Sequence, residues 1–308
     1  MTIAISPGKI ILLGEHGVIY GKPCLSMAIS LKVAVNVEIG NSYMVNMQPM
    51  DGKRHTYIKK AVEMIWDGKP LEITTFSQIP SASGLGSSAA ITTAVVAALL
   101  KMKNDFSKMK VAENSFEIEY NVQGRASPND TSTCSYGKAI LVKNERQDGY
   151  LWSFSKGGNS WFIYPFEIPQ MEIVIGATGI KGKTPQLIKK ISKFINSSSF
   201  AKDLLNEMET LVLNGEKALK KNDMVEFGEI MNEDQKILRI FGASTKEIEK
   251  LISTAIKAGA YGAKLTGAGG GGSIIAIGGN PEKIADAIKK RGRDAYIVMP
   301  DKEGVKVW

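Results

Sequence analysis

The segment Pro80-Ser81-Ala82-Ser83-Gly84-Leu85-Gly86-Ser87-Ser88-Ala89-Ala90 fixes where the main helix of the N-terminal half begins. The small and apolar residues that follow predict a helix from about Ser87 to Lys101. Glycines before a helix let the backbone approach an anion, and the free N–H groups and dipole of the first turn favour negative charge. The segment therefore predicts either a phosphate-binding loop or a plain loop before a Ser-capped helix, and its residues alone leave both open.

The rest of the chain alternates strands and helices around this segment. The strand patterns KIILL and KVAVNVEI precede it, and apolar residues at three- and four-residue spacing predict helices from about Ser199 to Ala258. The strands YGAKLTG and GSIIAI, the helix PEKIADAIKKR and the strand AYIVM follow. This order predicts an α+β protein with a boundary near residues 165–170, which gives domains at residues 1–167 and 168–308.

A second glycine-rich segment, Lys264 to Ser273, formally contains GxGxxG from Gly267 to Gly272. The dinucleotide fingerprint opens a helix after a strand, whereas these glycines precede the strand-like IIAI, so we reject that interpretation. The run from Gly267 to Gly272 contains more residues with little or no side chain than a hairpin turn needs. The run therefore favours close backbone approach to a ligand over a flexible turn.

A third glycine-rich segment, Gly176 to Thr184, nearly matches the Walker A loop GxxxxGK[ST]. It has one residue too many between Gly176 and Gly182, and alanine stands at position 177, where the first glycine belongs. A P-loop nucleotidase is therefore kept only as an alternative from a different class.

Composition narrows the remaining classes. A chain of 308 residues with 44% hydrophobic content can bury a core. It has no apolar run long enough to span a membrane and no signal-peptide order at its N-terminus, so we expect a cytoplasmic protein without a membrane partner. Two cysteines and two histidines argue against a disulfide scaffold, a His-rich metal site and a Ser-His-Asp triad. The net charge of +8 comes from lysines scattered among acids, which argues against nucleic acid and suits anionic substrates.

Taken in order, the segments resemble the signature motifs of the GHMP kinase superfamily, and most closely its archaeal-type mevalonate kinase branch. The N-terminal PGKIILLGEHGVIYG is similar to the first motif, the loop around Gly84 to the second, and KLTGAGGGG, ending at Gly272, to the third. EYNVQGRASPNDTST, which begins at Glu119, resembles the catalytic stretch. The resemblance covers essentially the whole chain. It implies a two-domain GHMP kinase fold, with an N-terminal domain like domain 2 of ribosomal protein S5 and a ferredoxin-like C-terminal domain.

The same resemblance implies ATP and Mg²⁺ as cofactors and gives roles to individual residues. Asp130 would accept or orient the substrate hydroxyl with Lys9 beside it, and Ser88 and Glu119 would hold Mg²⁺. The residues implied at ATP are Pro80, Ser81, Ser83, Gly84, Leu85, Gly86, Ser87, Ser88 and Ala89. The residues implied at the substrate are Glu15, His16, Thr184 and Ala268.

Each of these residues also has a plainer interpretation. Asp130 could cap a turn, Glu119 could lie on a solvated helix face, and Lys9 could be a surface lysine at a strand start. Their joint occurrence with three glycine motifs favours the catalytic roles. It also argues against an inactive family member that only senses a metabolite, since a sensor needs no proton-handling group.

The expected reaction is ATP-dependent phosphorylation of the 5-hydroxyl of mevalonate, and the alternative is another small alcohol such as phosphomevalonate or homoserine. A homodimer is an open expectation. Two departures bear on the substrate. QGRASPN, residues 123–129, stands where the family usually reads HGNPSG, and MNEDQ, residues 231–235, only loosely matches the family's MNxNH helix.

Overall fold

The computed structural model describes residues 1–124, 126–182 and 184–308, without the side chains of Thr184 and Pro185. Its N-terminal half is a sheet backed by helices. The strands of this sheet are β1 (Thr2–Leu13), β2 (Cys24–Ile39), β3 (Met44–Val45), β4 (Gln48–Pro49), β5 (Leu71–Ser77), β6 (Ala139–Lys143), β7 (Trp152–Lys156) and β8 (Asn159–Phe166). The helices are α1 (Thr56–Ile65), α2 (Ser87–Met102), α3 (Lys108–Gln123) and α4 (Asn129–Tyr136).

The long strand β2 organises the N-terminal sheet, whose order is β4-β3-β5-β2-β6-β8-β7 with β1 paired along β2. The β1–β2 register shifts between Pro7 and Gly8, as in a β-bulge, directly before Lys9. Helix α2 packs against both strands and is buried along nearly its whole length. Its small residues Ala89, Ala90, Ala94, Ala97 and Ala98 allow that close approach to the sheet.

The C-terminal half has a smaller sheet of β9 (Ile173–Ala177), β10 (Ala260–Thr266), β11 (Ser273–Gly278) and β12 (Ala295–Val298). Its order is β10-β11-β9-β12 and every pairing is antiparallel. The helices are α5 (Thr184–Ser197), α6 (Ser199–Lys220), α7 (Met224–Ile240), α8 (Lys246–Lys257) and α9 (Pro281–Lys289). Helices follow β9 and β11 before the next strand, which is the ferredoxin-like βαββαβ order. The predicted α+β fold is confirmed.

The two halves share a core. Val212 and Phe227 on α6 and α7 belong to the same buried cluster as Leu13 on β1. The last strand, β13 (Lys306–Val307), returns to the N-terminal sheet and pairs with β1. The division into residues 1–167 and 168–308 stays a prediction.

Candidate active site

A cavity of about 500 Å³ opens between the two halves of the molecule. It lies where β1, the loop before α2, the end of α3, the start of α4 and the β10–β11 hairpin meet. The residues that line it are Lys9, Ile11, His16, Val18, Ile19, Ser81, Ala82, Ser83, Gly84, Gly86, Ser87, Ser88, Ile91, Glu119, Gln123, Ala126, Ser127, Asp130, Gly182, Ile188, Gly267 and Ala268. Most of the residues predicted at ATP, Mg²⁺ and the substrate are therefore brought to one place.

The loop before α2 has the geometry that the sequence predicted for an anion site. Gly86 is the residue before the helix, in a left-handed conformation with φ +73°, and no side chain caps the first turn. Backbone N–H groups at such an end favour a phosphate. Leu85 and Ala89 are buried away from the cavity, and Pro80 accepts a hydrogen bond from the Ser83 hydroxyl at 2.6 Å. These three residues shape the loop and do not line the cavity.

Strand β1 is tied to this loop and to the β10–β11 hairpin. The Lys9 backbone N–H donates to the Leu85 carbonyl at 3.0 Å. The Thr266 hydroxyl accepts from the Ile11 N–H at 2.8 Å. A side chain at Gly86 would meet the stem of Lys9, since a Cβ there would lie 2.7 Å from Lys9 Cγ. The absence of a side chain at Gly86 therefore leaves room for Lys9 as well as for a phosphate.

Lys9 and Asp130 form an ion pair with Nζ 3.0 Å from Oδ2, the lysine buried and the aspartate 30% exposed to the cavity. Asn129 donates to Asp130 Oδ1 at 3.0 Å and accepts from the Ser26 hydroxyl at 2.9 Å. Burial alone would lower the pKa of Lys9, but the charge of Asp130 and the hydrogen bond to it raise that pKa above its usual value. The lysine is therefore a fixed cation that holds Asp130 in place.

Glu119 lies on the last turns of α3 and is buried against the cavity, so it is not on a solvated face. Gln123, one helical turn later, donates to Glu119 Oε1 at 3.0 Å and to the Tyr57 hydroxyl at 3.0 Å. Burial, with the nearby charge of Asp130, raises the pKa of Glu119 to about 8. A carboxyl group in this setting is stabilised as the anion by a cation, and Ser88 supplies a hydroxyl oxygen to the same cavity. The donor set fits Mg²⁺.

The described ranges contain no group of three or more His, Cys, Asp and Glu side chains arranged to hold a metal ion. Mg²⁺ usually keeps several waters and takes one or two carboxylates together with substrate phosphates. A site of Ser88 and Glu119 is of that kind.

His16 lines the cavity beside the hairpin, and its Nε2 lies 3.1 Å from the Ala268 carbonyl oxygen. Burial lowers the pKa of His16 to about 4, so the imidazole is neutral near neutral pH. A carbonyl only accepts, so Nε2 carries the proton and Nδ1 is left as an acceptor.

Glu15, predicted at the substrate, does not line the cavity. Its side chain is fully buried and pairs with Lys264 of β10, which also lies 3.3 Å from Asp234 Oδ2 on α7. Sequence patterns did not indicate this cluster. A direct substrate contact by Glu15 stays a prediction that the geometry does not favour.

The glycine run from Gly267 to Gly272 connects β10 to β11 as a hairpin, so the rejection of a dinucleotide fingerprint is confirmed. Its glycines permit contacts between backbones. A Cβ at Gly272 would lie 3.0 Å from the Ser83 carbonyl oxygen, and one at Gly271 would lie 2.5 Å from that of Ile180. Gly267 and Ala268 also reach the cavity. The run is therefore first a junction between the phosphate loop and the segment before α5.

The segment before α5 contains the near-Walker pattern. It follows β9, which has antiparallel neighbours on both sides, so the parallel βαβ unit typical of nucleotide-binding glycine loops is missing here from the described strands. Gly182 and Ile188 line the cavity. Lys183 and the Thr184 side chain, the last of the predicted substrate residues, lie outside the described part.

Several lining or supporting residues escaped the sequence interpretation. Gln123 was detectable in principle because it stands four residues after Glu119, on the same helix face. Asn129 adjoins Asp130 but gave no independent signal. Tyr57 and Ser26 come from distant segments, and only the fold brings them to the site.

Comparisons with known proteins agree with this geometry. The family model described as "GHMP kinases N terminal domain" matches residues 56–138, and that described as "GHMP kinases C terminal" matches residues 216–294. A mevalonate kinase of Methanothermobacter thermautotrophicus is 33% identical over 285 residues, which cover 89% of each chain. A mevalonate kinase of Pyrococcus abyssi is 31% identical and covers 100% of this chain and 98% of its own.

Among solved structures, the L. major mevalonate kinase in complex with R-mevalonate superposes with a TM-score of 0.80. It is 25% identical and covers 97% of this chain and 95% of its own. Helices that combine the length and the hydropathy of a membrane span are absent from the described residues.

Proposed function

The chain belongs to the GHMP kinase family, and we propose that it transfers the terminal phosphoryl group of ATP to the 5-hydroxyl of mevalonate. One observation carries the chemistry: the ion pair of buried Lys9 and partly exposed Asp130 opens into the same cavity as the uncapped N-terminus of α2. The family relationship supplies the substrate, since the relatives described above are mevalonate kinases.

The loop before α2 would hold the triphosphate. Gly84 and Gly86 have left-handed backbones, with φ +80° and +73°, which glycine adopts at no steric cost. Ser81, Ser83, Ser87 and Ser88 surround the first turn of the helix, where N–H groups and the dipole stabilise negative charge. Little covalent chemistry is required of the protein in phosphoryl transfer, so positioning and charge stabilisation by this loop are the main contributions.

Asp130 would receive the proton of the substrate hydroxyl. Each of its oxygens already accepts one bond, from Lys9 and from Asn129, and a carboxylate oxygen has a second lone pair for the substrate. The buried cation of Lys9 would stabilise the alkoxide-like charge that develops during attack. Asn129 and Ser26 keep the carboxylate from rotating away.

Ser88 and Glu119 would hold Mg²⁺, which would supply positive charge to offset that of the phosphates. The amide of Gln123 keeps Glu119 Oε1 directed at the cavity. His16, neutral with Nδ1 as acceptor, suits a substrate hydroxyl better than a carboxylate. Ala268 holds the imidazole through its carbonyl. A cytoplasmic location, the lack of a nucleic-acid partner and a homodimeric state stay predictions of the sequence.

An ADP-release assay with MgATP tests the function across mevalonate, phosphomevalonate, homoserine, galactose and shikimate. We expect kcat/KM for mevalonate to exceed that for every other alcohol by at least about tenfold, roughly 1.4 kcal/mol of transition-state stabilisation. A preference for phosphomevalonate or homoserine would keep the reaction and replace the substrate. No ADP release above the ATP-only background with any of the five would contradict the proposal.

A further inference from the structure

A second lysine–carboxylate cluster lies beneath the cavity wall, away from the ATP loop. It consists of Glu15 after β1, Lys264 on β10 and Asp234 on α7, and all three side chains are essentially inaccessible to solvent. Lys264 Nζ donates to Glu15 Oε1 and to the Leu265 carbonyl at 2.9 Å. None of the three belongs to the Lys9–Asp130 machinery.

The cluster has more acceptors than donors. Glu15 Oε2 and both oxygens of Asp234 are buried without a hydrogen-bond donor from any described residue. The contact of Asp234 Oδ2 with Lys264 at 3.3 Å is an ion pair only. Buried polar atoms are nearly always hydrogen bonded, so orphaned oxygens on facing carboxyl groups require an explanation.

The cluster also has more negatively than positively charged groups. Two ionised carboxylates against one ammonium would leave a net negative charge on side chains that bulk solvent does not reach, which is strongly unfavourable. A single proton on one carboxyl removes that charge. Because Glu15 and Asp234 both pair with the Nζ of Lys264, the same proton would let one carboxyl group donate a hydrogen bond to the other.

We propose that Glu15 and Asp234, which both pair with Lys264, share one proton, so that the cluster is neutral. The neutral cluster then fixes the part of the cavity wall formed by His16 and Ala268, the His16–Ala268 wall, which faces the substrate. The statement about the wall rests on the proposed function. Burial raises the pKa of Glu15 to about 8 and also raises that of Asp234, in agreement with a retained proton.

Connectivity explains how the cluster acts on the pocket. Glu15 directly precedes His16, and Lys264 lies on the strand that leads to Ala268. The His16–Ala268 contact and the Glu15–Lys264 pair therefore connect the end of β1 to β10 and its hairpin at two successive points. These residues are positioning residues, since they reach the substrate only through His16 and Ala268.

The remaining titratable groups that face the cluster are neutral near neutral pH. They are the His16 imidazole, whose pKa is lowered first by burial, and the Cys24 thiol on β2, whose pKa is raised first by burial. Among the described side chains, Lys264 is thus the cation that Glu15 and Asp234 have to share.

Asp234 is also where this chain departs from the family pattern. In MNEDQ, aspartate stands at the position of the second asparagine of MNxNH. An asparagine there would donate a hydrogen bond and carry no charge, as a protonated aspartic acid does. Asp234→Asn is therefore a close mimic of the proposed state.

The first test compares thermal melts of the whole chain and Asp234→Asn over a pH series. Between about pH 4, where an unfolded carboxyl titrates, and about pH 8, the native parent would bind one more proton than the unfolded chain. Its stability then falls as pH rises, and an amide escapes that loss. We expect Tm of the variant minus Tm of the parent to increase by at least about 3 °C from about pH 5 to about pH 8.

Glu15→Gln should show the same increase, and Asp286→Asn, on the exposed face of α9, should show a flat difference. A flat difference for Asp234→Asn or Glu15→Gln would overturn the shared proton. If one of the two variants does not fold, the other decides. If neither folds the proposal is also overturned, because a neutral amide replaces the proposed neutral acid with little change in shape.

Steady-state kinetics test the positioning role. Asp234→Leu removes the hydrogen bond and should raise KM for mevalonate about tenfold, with KM for ATP and kcat within about threefold, while Asp234→Asn should restore KM to within about twofold. Parallel losses in kcat and in both KM values would indicate a general structural defect and overturn the role. If the parent does not phosphorylate mevalonate, the proposed function fails, and the melts still decide the shared proton.

Discussion

Among the described residues, one lysine–carboxylate cluster lies on the C-terminal half of β1 and another just after its end, and the two differ in access to water. At Lys9–Asp130 the carboxylate is partly exposed and both of its oxygens are hydrogen bonded. At Glu15–Lys264–Asp234 all side chains are sealed and most carboxylate oxygens lack a donor. In the proposed mechanism the first cluster exchanges a proton with the substrate, whereas the second cluster only holds one.

Burial, and not residue type, distinguishes the pair proposed to be catalytic from the sealed cluster. A charged group that faces a cavity can take part in a reaction, because a bound ligand can interact with it directly. A sealed charge must be balanced inside the fold. The two clusters should therefore respond to mutation in opposite ways, one in turnover and the other in stability.

The largest effect is expected when Asp130 is replaced by its amide. Asp130→Asn keeps the shape and removes charge and basicity, so kcat should fall about a thousandfold, since general base catalysis supplies roughly 10²- to 10⁴-fold. Tm and ATP affinity should stay near parent values. The measurement is kcat with mevalonate and MgATP beside a thermal melt.

Asp67→Asn is the matched control, because Asp67 also pairs with a lysine, Lys103 at 3.2 Å, but on the surface. Its kcat should stay within about twofold of the parent value. An Asp130→Asn variant that keeps more than about a tenth of the parent rate, a barrier change of only about 1.4 kcal/mol, would remove Asp130 from the proton-handling role.

The opposite response is expected at the sealed cluster. Lys264→Met leaves Glu15 and Asp234 without a cation and should lower the free energy of unfolding by about 3 kcal/mol. Urea unfolding at neutral pH measures it, with Lys250→Met on the exposed face of α8 as the control, expected within about 0.5 kcal/mol of the parent. A loss below about 1 kcal/mol for Lys264→Met would show that the cluster is not charge-critical.

A glycine pair tests whether the catalytic cluster depends on space beside Lys9. Gly86 and Gly292 have nearly the same backbone, φ +73° and +69°, but an added Cβ would meet Lys9 at the first and nothing within 4 Å at the second. Both alanine variants should lose about 1 kcal/mol of stability from the left-handed backbone. Only Gly86→Ala should also lose turnover, by at least about tenfold, because Lys9 is displaced. Equal turnover in the two variants would contradict this.

The smallest expected effect concerns His16, which lines the cavity and directly follows Glu15 in the chain. Its pKa of about 4 keeps it neutral, so KM for mevalonate should vary less than about twofold between about pH 5.5 and about pH 7.5 through this group. Since the folded pKa lies below that of the unfolded chain, the free energy of unfolding falls as pH drops from about 6.5 to about 4. A His16→Gln variant should lack that part of the acid sensitivity. A titration of KM near pH 6.5 that disappears in His16→Gln would show a charged imidazole instead.

The same difference explains what the sequence could and could not predict. Lys9, Glu119 and Asp130 each stand in a motif with a chemical purpose, and the fold brings all three to one cavity. Helix α2 and the strands of the C-terminal half also follow from apolar periodicity and glycine punctuation, and the structure confirms them.

The sealed cluster had no such signal. Glu15 appeared in GEH as a substrate residue, Lys264 as the start of a glycine run, and Asp234 as a mismatch to a family helix. Each is an ordinary charged residue until long-range packing removes water from all three. Pairing over such separations depends on the tertiary fold, which local propensity and periodicity do not report.

The ties between β1 and β10 also bear on how the protein is made. Ile11 and Thr266 bond across 255 positions of the chain, and Glu15 and Lys264 across 249. Closing such long loops costs entropy before any contact forms, and domains emerge from the ribosome N-terminus first. Strand β1 can pair with β2 early, but its contacts with β10 can form only after β10 has been synthesised. We expect the nascent chain to form most of its N-terminal sheet early, and β13 and the candidate active-site cavity only near the end of translation.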